Sequence, residues 1–138
     1  MKNSIRTCTV LMICLMMLCS CDRDRQSAPD ERTGPKILEE TTRKLQRELP
    51  KELGPGVVWI TSKSEPNLTL VHIYEFSPIA PIQDIRRNLD GQRKTIIRTV
   101  CNDQKTRWLL ENNITIVYRY FMTDGSFITD NSVSTGDC

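Results

Sequence analysis

Several residue types and motifs that would carry chemistry are scarce in this chain of 138 residues. His72 is the only histidine, and no Cys-x-x-Cys motif accompanies it, which argues against a zinc site. Gly54-Pro55-Gly56 lacks the further glycines and the lysine of a phosphate-binding loop. No spacing places a nucleophile and an orienting acid around His72, as a catalytic triad would require. We therefore expect no metal, no cofactor and no enzymatic activity.

An excess of charge of one sign is also missing. Nineteen Lys and Arg stand against seventeen Asp and Glu, and aromatic residues do not interleave with the basic ones. Nucleic-acid-binding domains typically carry a clear basic excess, so we expect no nucleic-acid partner. Segment 81–110 nevertheless holds seven basic and three acidic residues. It is either a solvated helix face or a binding face for an acidic protein segment or anionic lipid headgroups.

The longest hydrophobic run is too short to cross a membrane. Residues 8–18 (CTVLMICLMML) are uncharged, and a helix of that length spans about 16 Å, roughly half of the hydrocarbon core. Lys2 and Arg6 precede it, a pattern typical of a signal peptide. Residues 18–21 (LCSC) resemble the lipobox of bacterial lipoproteins, which implies a signal peptide at 1–20 and a lipid anchor on Cys21. The alternative is an ordinary cleaved signal that leaves a free cysteine.

The residues after Cys21 predict a flexible tether. Residues 22–35 (DRDRQSAPDERTGP) are charged and contain no apolar residue larger than alanine, so they cannot bury a core. We therefore predict an anchor and tether at 21–35 and a single folded domain at 36–138, facing the periplasm. Asp22 resembles the signal that retains lipoproteins of enteric bacteria in the inner membrane, or it only begins the tether. The sequence therefore leaves inner and outer membrane open.

The cysteines predict one disulfide. Cleavage removes the three cysteines of the signal peptide, and lipidation uses Cys21, which leaves Cys101 and Cys138. An even pair of cysteines in an oxidising compartment is typical of a disulfide. Metal binding is the alternative, and it would need more nitrogen or sulfur ligands than the chain offers.

Hydrophobic periodicity predicts an α+β domain. Helices are expected at 37–49, from 82 onward with a break at Asp90-Gly91, and at 105–111. Strands are expected at 57–61, 68–76, 114–121 and 127–133, with a polar turn at 62–67 and a type I′ turn at Asp124-Gly125. The strands form two hairpins, so we predict a small antiparallel sheet backed by helices, with one disulfide.

Strand 68–76 is apolar on both faces and is therefore predicted to lie inside the sheet. Leu70, His72 and Tyr74 share one of these faces. We interpret His72 as a half-buried histidine whose hydrogen bonds are satisfied. Trp59 and Trp108 are interpreted as core residues.

The order of elements resembles that of the beta-type pilotins, small lipoproteins of type II secretion systems. The matching features are Leu49-Pro50 at the end of a helix, a glycine turn before two strands, Cys101-Asn102-Asp103 before the Leu-rich segment Trp108-Leu109-Leu110-Glu111, the strand start Asn113-Ile114-Thr115-Ile116, and the terminal Cys138. The resemblance implies a sheet backed by helices. It also implies a groove that holds the C-terminal helix of a secretin, whose assembly the protein would assist. It assigns no binding residues to particular positions.

Two other functions are compatible with a lipid-anchored envelope domain. One is a plasmid or phage exclusion lipoprotein, which also acts by binding a protein. The other is a structural or stress-response lipoprotein without a dedicated partner. A soluble form that binds no protein would favour the latter.

Overall fold

The computed structural model describes residues 33–138. The predicted signal peptide at 1–20, the lipidation site Cys21 and most of the tether lie outside the described residues. The described elements are α1 (Thr33–Gln46), β1 (Lys51–Gly54), β2 (Val57–Glu65), β3 (Thr69–Phe76), α2 (Ile82–Gly91), α3 (Arg93–Asn102), α4 (Gln104–Glu111), β4 (Thr115–Met122), β5 (Phe127–Val133) and a short 3-10 turn (Thr135–Asp137). The predicted α+β class is confirmed. None of the described helices is long and apolar enough to cross a bilayer.

The strands form one mixed sheet in the order β1-β2-β3-β4-β5. β3 lies at its centre, as its two apolar faces predicted. β3 and β4 pair in parallel, with His72 opposite Tyr118, so the prediction of a purely antiparallel sheet was wrong. Parallel neighbours need a long crossover, and helices α2, α3 and α4 provide it by returning the chain to the end of the sheet where β3 begins.

The sheet also has a fifth strand that the sequence did not predict. β1 consists of only four residues, and three of them are exposed. Lys51 and Glu52 lie opposite Trp59 and Val58 of β2. The predicted glycine turn joins the two strands, and Gly56 has a φ of +74°, which a side chain would strain. A polar edge strand of this length shows no hydrophobic alternation.

The turn between β4 and β5 differs from the predicted type. Gly125 has a φ of +84°, whereas Asp124 does not have a positive φ, and a type I′ turn requires both. The Gly125 amide donates to the Met122 carbonyl at 2.9 Å, and the Met122 amide donates to the Ser126 carbonyl at 2.8 Å. This is the three-residue loop in which glycine takes the left-handed position.

The helices cover one face of the sheet and create two adjoining core clusters. One cluster comprises Ile37, Leu38, Leu70, Val100, Leu109, Leu110, Ile114, Ile116 and Val133. The other comprises Tyr74, Ile85, Leu89, Tyr120, Met122 and Ile128. The helix predicted at 37–49 begins and ends earlier, at Thr33–Gln46. The predicted break near Asp90-Gly91 is confirmed as the boundary between α2 and α3.

The one disulfide that was predicted with the fold class is present. It joins Cys101, in the last turn of α3, to Cys138. It holds the chain end, which follows β5, against the helical layer. The Thr135 hydroxyl donates to the Leu110 carbonyl at 2.5 Å, and Arg93 contacts Asp137 at 3.4 Å. The C-terminus is therefore fixed at several points beside α3 and α4.

The opposite face of the sheet carries an ion-pair network. The Arg119 guanidinium donates to Glu65 at 2.9 Å and to Asp130 at 3.1 Å, and Lys63 contacts Glu65 at 2.9 Å. Hydrogen bonds from Lys63 and Arg119 lower the pKa of Glu65. These charges spread over β2, β4 and β5 and pair with one another.

Candidate functional site

A groove of about 860 Å³ lies between α1 and α4, above strands β2, β3 and β4. Its walls comprise Thr41, Lys44, Leu45 and Glu48 on one side and Asp103, Gln104, Lys105, Thr106, Trp108 and Leu109 on the other. Its floor comprises Trp59, Leu70, His72, Tyr74 and Tyr118. The groove is partly open to solvent.

Aromatic rings form most of the groove floor. Trp59 and Tyr74 stack with ring centroids 5.8 Å apart, and Tyr74 and Tyr118 stack at 6.2 Å. The rings come from three neighbouring strands: the register places Trp59 opposite Tyr74, and Tyr118 opposite His72. Burial raises the pKa of Tyr118 to about 12, which keeps its hydroxyl neutral. The floor is thus a largely aromatic, apolar surface with a few polar groups.

His72 lies within this floor and is buried. Its Nδ1 is 2.8 Å from the Ser62 hydroxyl on β2, and its ring meets the Trp59 ring edge-on at 4.9 Å. Burial lowers the pKa of His72 to about 4, so the ring is neutral at pH 7. His72 thus lies within the sheet, as interpreted, but it is buried rather than half-buried, and the Ser62 hydroxyl satisfies one of its two ring nitrogens.

The Ser62–His72 pair does not have the geometry of a hydrolase. Ser62 is fully buried, so a substrate carbonyl cannot reach its hydroxyl. Among residues 33–138, no carboxylate hydrogen-bonds to the His72 ring to orient it, as a triad requires. The same residues contain no group of His, Cys, Asp and Glu side chains that could hold a metal ion.

The wall formed by α4 is fixed by its N-cap. Asp103 accepts hydrogen bonds from the backbone amides of Lys105 at 3.1 Å and Thr106 at 2.9 Å. These bonds, that of Thr106 foremost, lower the pKa of Asp103. The Thr106 hydroxyl also donates to the Val100 carbonyl at 2.8 Å, which ties α4 to α3. These bonds join the first turn of α4 to the end of α3.

The interpretation of both tryptophans as core residues was wrong for Trp108 and holds only in part for Trp59, which packs against the second core cluster without being fully buried. Trp59 is half-buried on the groove floor, and its indole nitrogen donates to the Thr61 carbonyl at 3.2 Å. Trp108 lies on α4 at the groove wall and is 48% exposed. A large aromatic side chain exposed beside a groove is typical of a binding anchor. The exposure of Trp108 could not be predicted, because the apolar spacing of a short helix does not show which residue faces a neighbour.

The basic segment 81–110 is less available than its composition suggests. Four of its cations bond within the domain: Arg86 to the Ile128 carbonyl, Arg87 to Asp84, Arg93 to Asp137 and Arg107 to Glu111. Lys94, Arg98 and Lys105 form no ion pair within the described part of the chain. Lys105 lies on the groove wall, so only part of the predicted basic face coincides with the groove.

No protein-family model and no curated protein matches the sequence. The fold, in contrast, resembles solved structures. The PA3611 protein of Pseudomonas aeruginosa, described as secreted, superposes with a TM-score of 0.70 and 17% identity, over 81% of this chain and 98% of the other. EpsS, the pilotin of the Vibrio vulnificus type 2 secretion system, superposes with a TM-score of 0.61 and 18% identity, over 78% and 94% of the two chains. The type II secretion pilotin AspS of Vibrio cholerae gives 0.58 and 16%, with the same coverage. The resemblance drawn from the sequence is thus confirmed at the level of the fold.

Proposed function

We propose that this protein is a lipid-anchored, periplasm-facing pilotin that binds the C-terminal helix of a secretin in the groove between α1 and α4. The observation that carries the proposal is the position of this groove, an aromatic floor between two helices on a fold shared with two pilotins. The partner is a protein of the cell envelope, and the groove binds it without chemical change. No cofactor takes part.

The shape and surface of the groove suit an amphipathic helix. A helix with side chains is about 10–12 Å across, and it would lie on the sheet as a further helix between α1 and α4. The aromatic floor would receive the apolar face, as in other helix-in-groove complexes. Lys44 and Glu48 on one wall and Asp103 and Lys105 on the other would contact polar side chains at the rim.

Direct binding of a secretin segment tests the proposal. The mature protein, purified in detergent, is titrated with peptides from the C-terminal ends of the secretins encoded in the same genome, with scrambled peptides as controls. We expect one peptide to bind with a Kd of about 1 μM or below, which corresponds to about −8 kcal/mol. The peptide should become helical on binding, as circular dichroism would show. If none of these peptides binds, the proposed function is wrong.

Replacement of Trp108 should weaken this binding selectively. Because Trp108 is 48% exposed, Trp108→Ala should leave the free energy of unfolding nearly unchanged. Loss of a tryptophan anchor typically costs about 2 kcal/mol or more of binding energy, so we expect the Kd to rise at least tenfold, measured by titration calorimetry.

Phe127 provides the matched control for Trp108. It is 50% exposed and contacts Phe121 on β4 at a ring distance of 5.8 Å, away from the groove lining. Phe127→Ala should bind the peptide like the unmodified protein. Equal losses in the two variants would mean that the peptide does not occupy the groove.

The proposed anchor has its own test at Cys21. A thiol is the only side chain in the lipobox-like segment that can form the thioether of a lipoprotein. Cys21→Ser should therefore abolish incorporation of labelled palmitate in growing cells, and Cys19→Ser is the control that should retain it. Labelling that persists in Cys21→Ser would contradict the lipid anchor.

A further inference from the structure

We infer that the helix bound in the groove must present an uncharged hydrogen-bond acceptor, a carboxamide or hydroxyl oxygen, to Nε2 of His72. This inference rests on the function proposed above and specifies the partner that the groove selects. His72 would then determine specificity, because an entirely apolar helix face would leave a buried N–H without an acceptor.

The hydrogen bond to Ser62 determines which ring nitrogen of His72 carries the proton. Ser62 is fully buried, and its hydroxyl makes one hydrogen bond within the described residues, to Nδ1 at 2.8 Å. A buried hydroxyl that accepted from Nδ1 would have no acceptor for its own proton, which is costly. Ser62 therefore donates to Nδ1. The neutral ring then carries its proton on Nε2.

Nε2 of His72 keeps access to the groove. Among residues 33–138, only the Thr42 hydroxyl is a side-chain polar atom that is both fully buried and without a hydrogen-bond partner. Nε2 makes no hydrogen bond within the same residues, so solvent must reach it, and His72 belongs to the groove lining. Nε2 is thus a fixed N–H donor within an aromatic floor.

A helix that covers the floor removes water from this donor. If the helix supplies no acceptor, the N–H loses its hydrogen bond to water and gains nothing in return. A carboxylate fits less well than a neutral oxygen, because it would place a charge among the rings of Trp59, Tyr74 and Tyr118. The charged groups of the groove lie on its walls, on or directly beside α1 and α4: Lys44, Glu48, Asp103 and Lys105. An uncharged acceptor therefore satisfies the donor at the lowest cost.

A double-mutant cycle between protein and peptide tests the inference. The protein variant is Ser62→Ala/His72→Phe, which removes both partners of the internal hydrogen bond and keeps an aromatic ring. The probe is the secretin peptide that binds the unmodified protein, and each Asn or Gln in it is replaced by Leu and each Thr by Val. We expect one peptide replacement to weaken binding to the unmodified protein about tenfold and to have no effect on the variant. Trp108→Ala is the control, in which that replacement should keep its full effect.

A second measurement does not depend on the folding of the variant. Nitrogen-15 spectra of labelled histidine in the unmodified protein should show the proton on Nε2, and bound peptide should slow its exchange with water. A proton on Nδ1, or a binding peptide with no polar residue coupled to His72, overturns this inference and leaves the proposed function standing. A peptide affinity that rises as the pH falls would indicate that the acceptor is a carboxylate paired with protonated His72. That result would overturn the inference of an uncharged acceptor. If no secretin peptide binds, the proposed function and this inference fall together.

Discussion

Loss of the disulfide should lower the free energy of unfolding by about 3–4 kcal/mol. Cys101 and Cys138 are separated by 37 positions, and a cross-link over such a loop restricts the unfolded chain strongly. The variant Cys101→Ser/Cys138→Ser removes this restriction. Chemical denaturation of the oxidised protein and the variant, followed by tryptophan fluorescence, measures the difference.

Because of its position, the disulfide stabilises the helical layer next to the groove. Cys101 lies in the last turn of α3, two residues before the Asp103 cap of α4. The closed loop contains α4, β4 and β5, so one wall of the groove lies within it. Without the bond, Thr135 and Asp137 still contact Leu110 and Arg93, and we expect a folded but less stable domain.

Reducing agent provides the matched control for the disulfide prediction. The unmodified protein with a thiol reductant should lose about as much stability as the serine variant, and the reductant should not affect the variant. A variant that unfolds at the same denaturant concentration as the oxidised protein would contradict the prediction. It would mean that the other contacts of the C-terminus already restrict the chain.

Local patterns determine much of this fold and were visible in the sequence. β5 has the predicted bounds Phe127–Val133, because the turn residues Asp124-Gly125 mark where the return strand of the hairpin begins. The helices after β3 begin and end close to the predicted positions, since their apolar residues recur at helical spacing. These features depend only on neighbours along the chain.

The pairing of β3 with β4 depends on distant residues and could not be predicted in the same way. Two hairpins can join in either direction, and the choice depends on where three intervening helices pack. β1 is short and polar, so only its pairing with β2 identifies it as a strand. Sheet topology here is a property of the packed molecule.

The residues of the groove could also be predicted only in part from local sequence patterns. The predicted turn at 62–67 begins too early, because β2 continues to Glu65. A hairpin aligned on the observed turn puts Ser62 opposite His72, and the buried pair would then have been predictable. The approach of α1 and α4, which makes the groove, follows from no pattern within either helix.

Acid should destabilise this protein through its single histidine. The pKa of His72 is about 4 in the folded state because the ring is buried, and about 6.5 in the unfolded chain. Between these two pKa values His72 is protonated in the unfolded state but neutral in the folded state. The free energy of unfolding therefore falls as the pH falls. We expect a loss of about 2 kcal/mol between pH 7.5 and pH 5, measured by urea denaturation at each pH.

The carboxylates contribute little to this loss above pH 5. The pKa values of Glu65, Asp103, Asp124 and Asp137 are lowered by hydrogen bonds. Their stabilising effect is complete above their unfolded pKa values of about 4 and disappears only at lower pH. The change between pH 7.5 and pH 5 therefore reports mainly on His72.

The variant Ser62→Ala/His72→Phe separates the histidine from every other group. It cannot take up a proton at this position, so its stability should be nearly constant between pH 7.5 and pH 5. If it loses stability with acid as the unmodified protein does, another group is responsible, and His72 is not held neutral by burial. A flat profile would show that the floor of the groove excludes charge, which is the property that favours an uncharged acceptor on the bound helix.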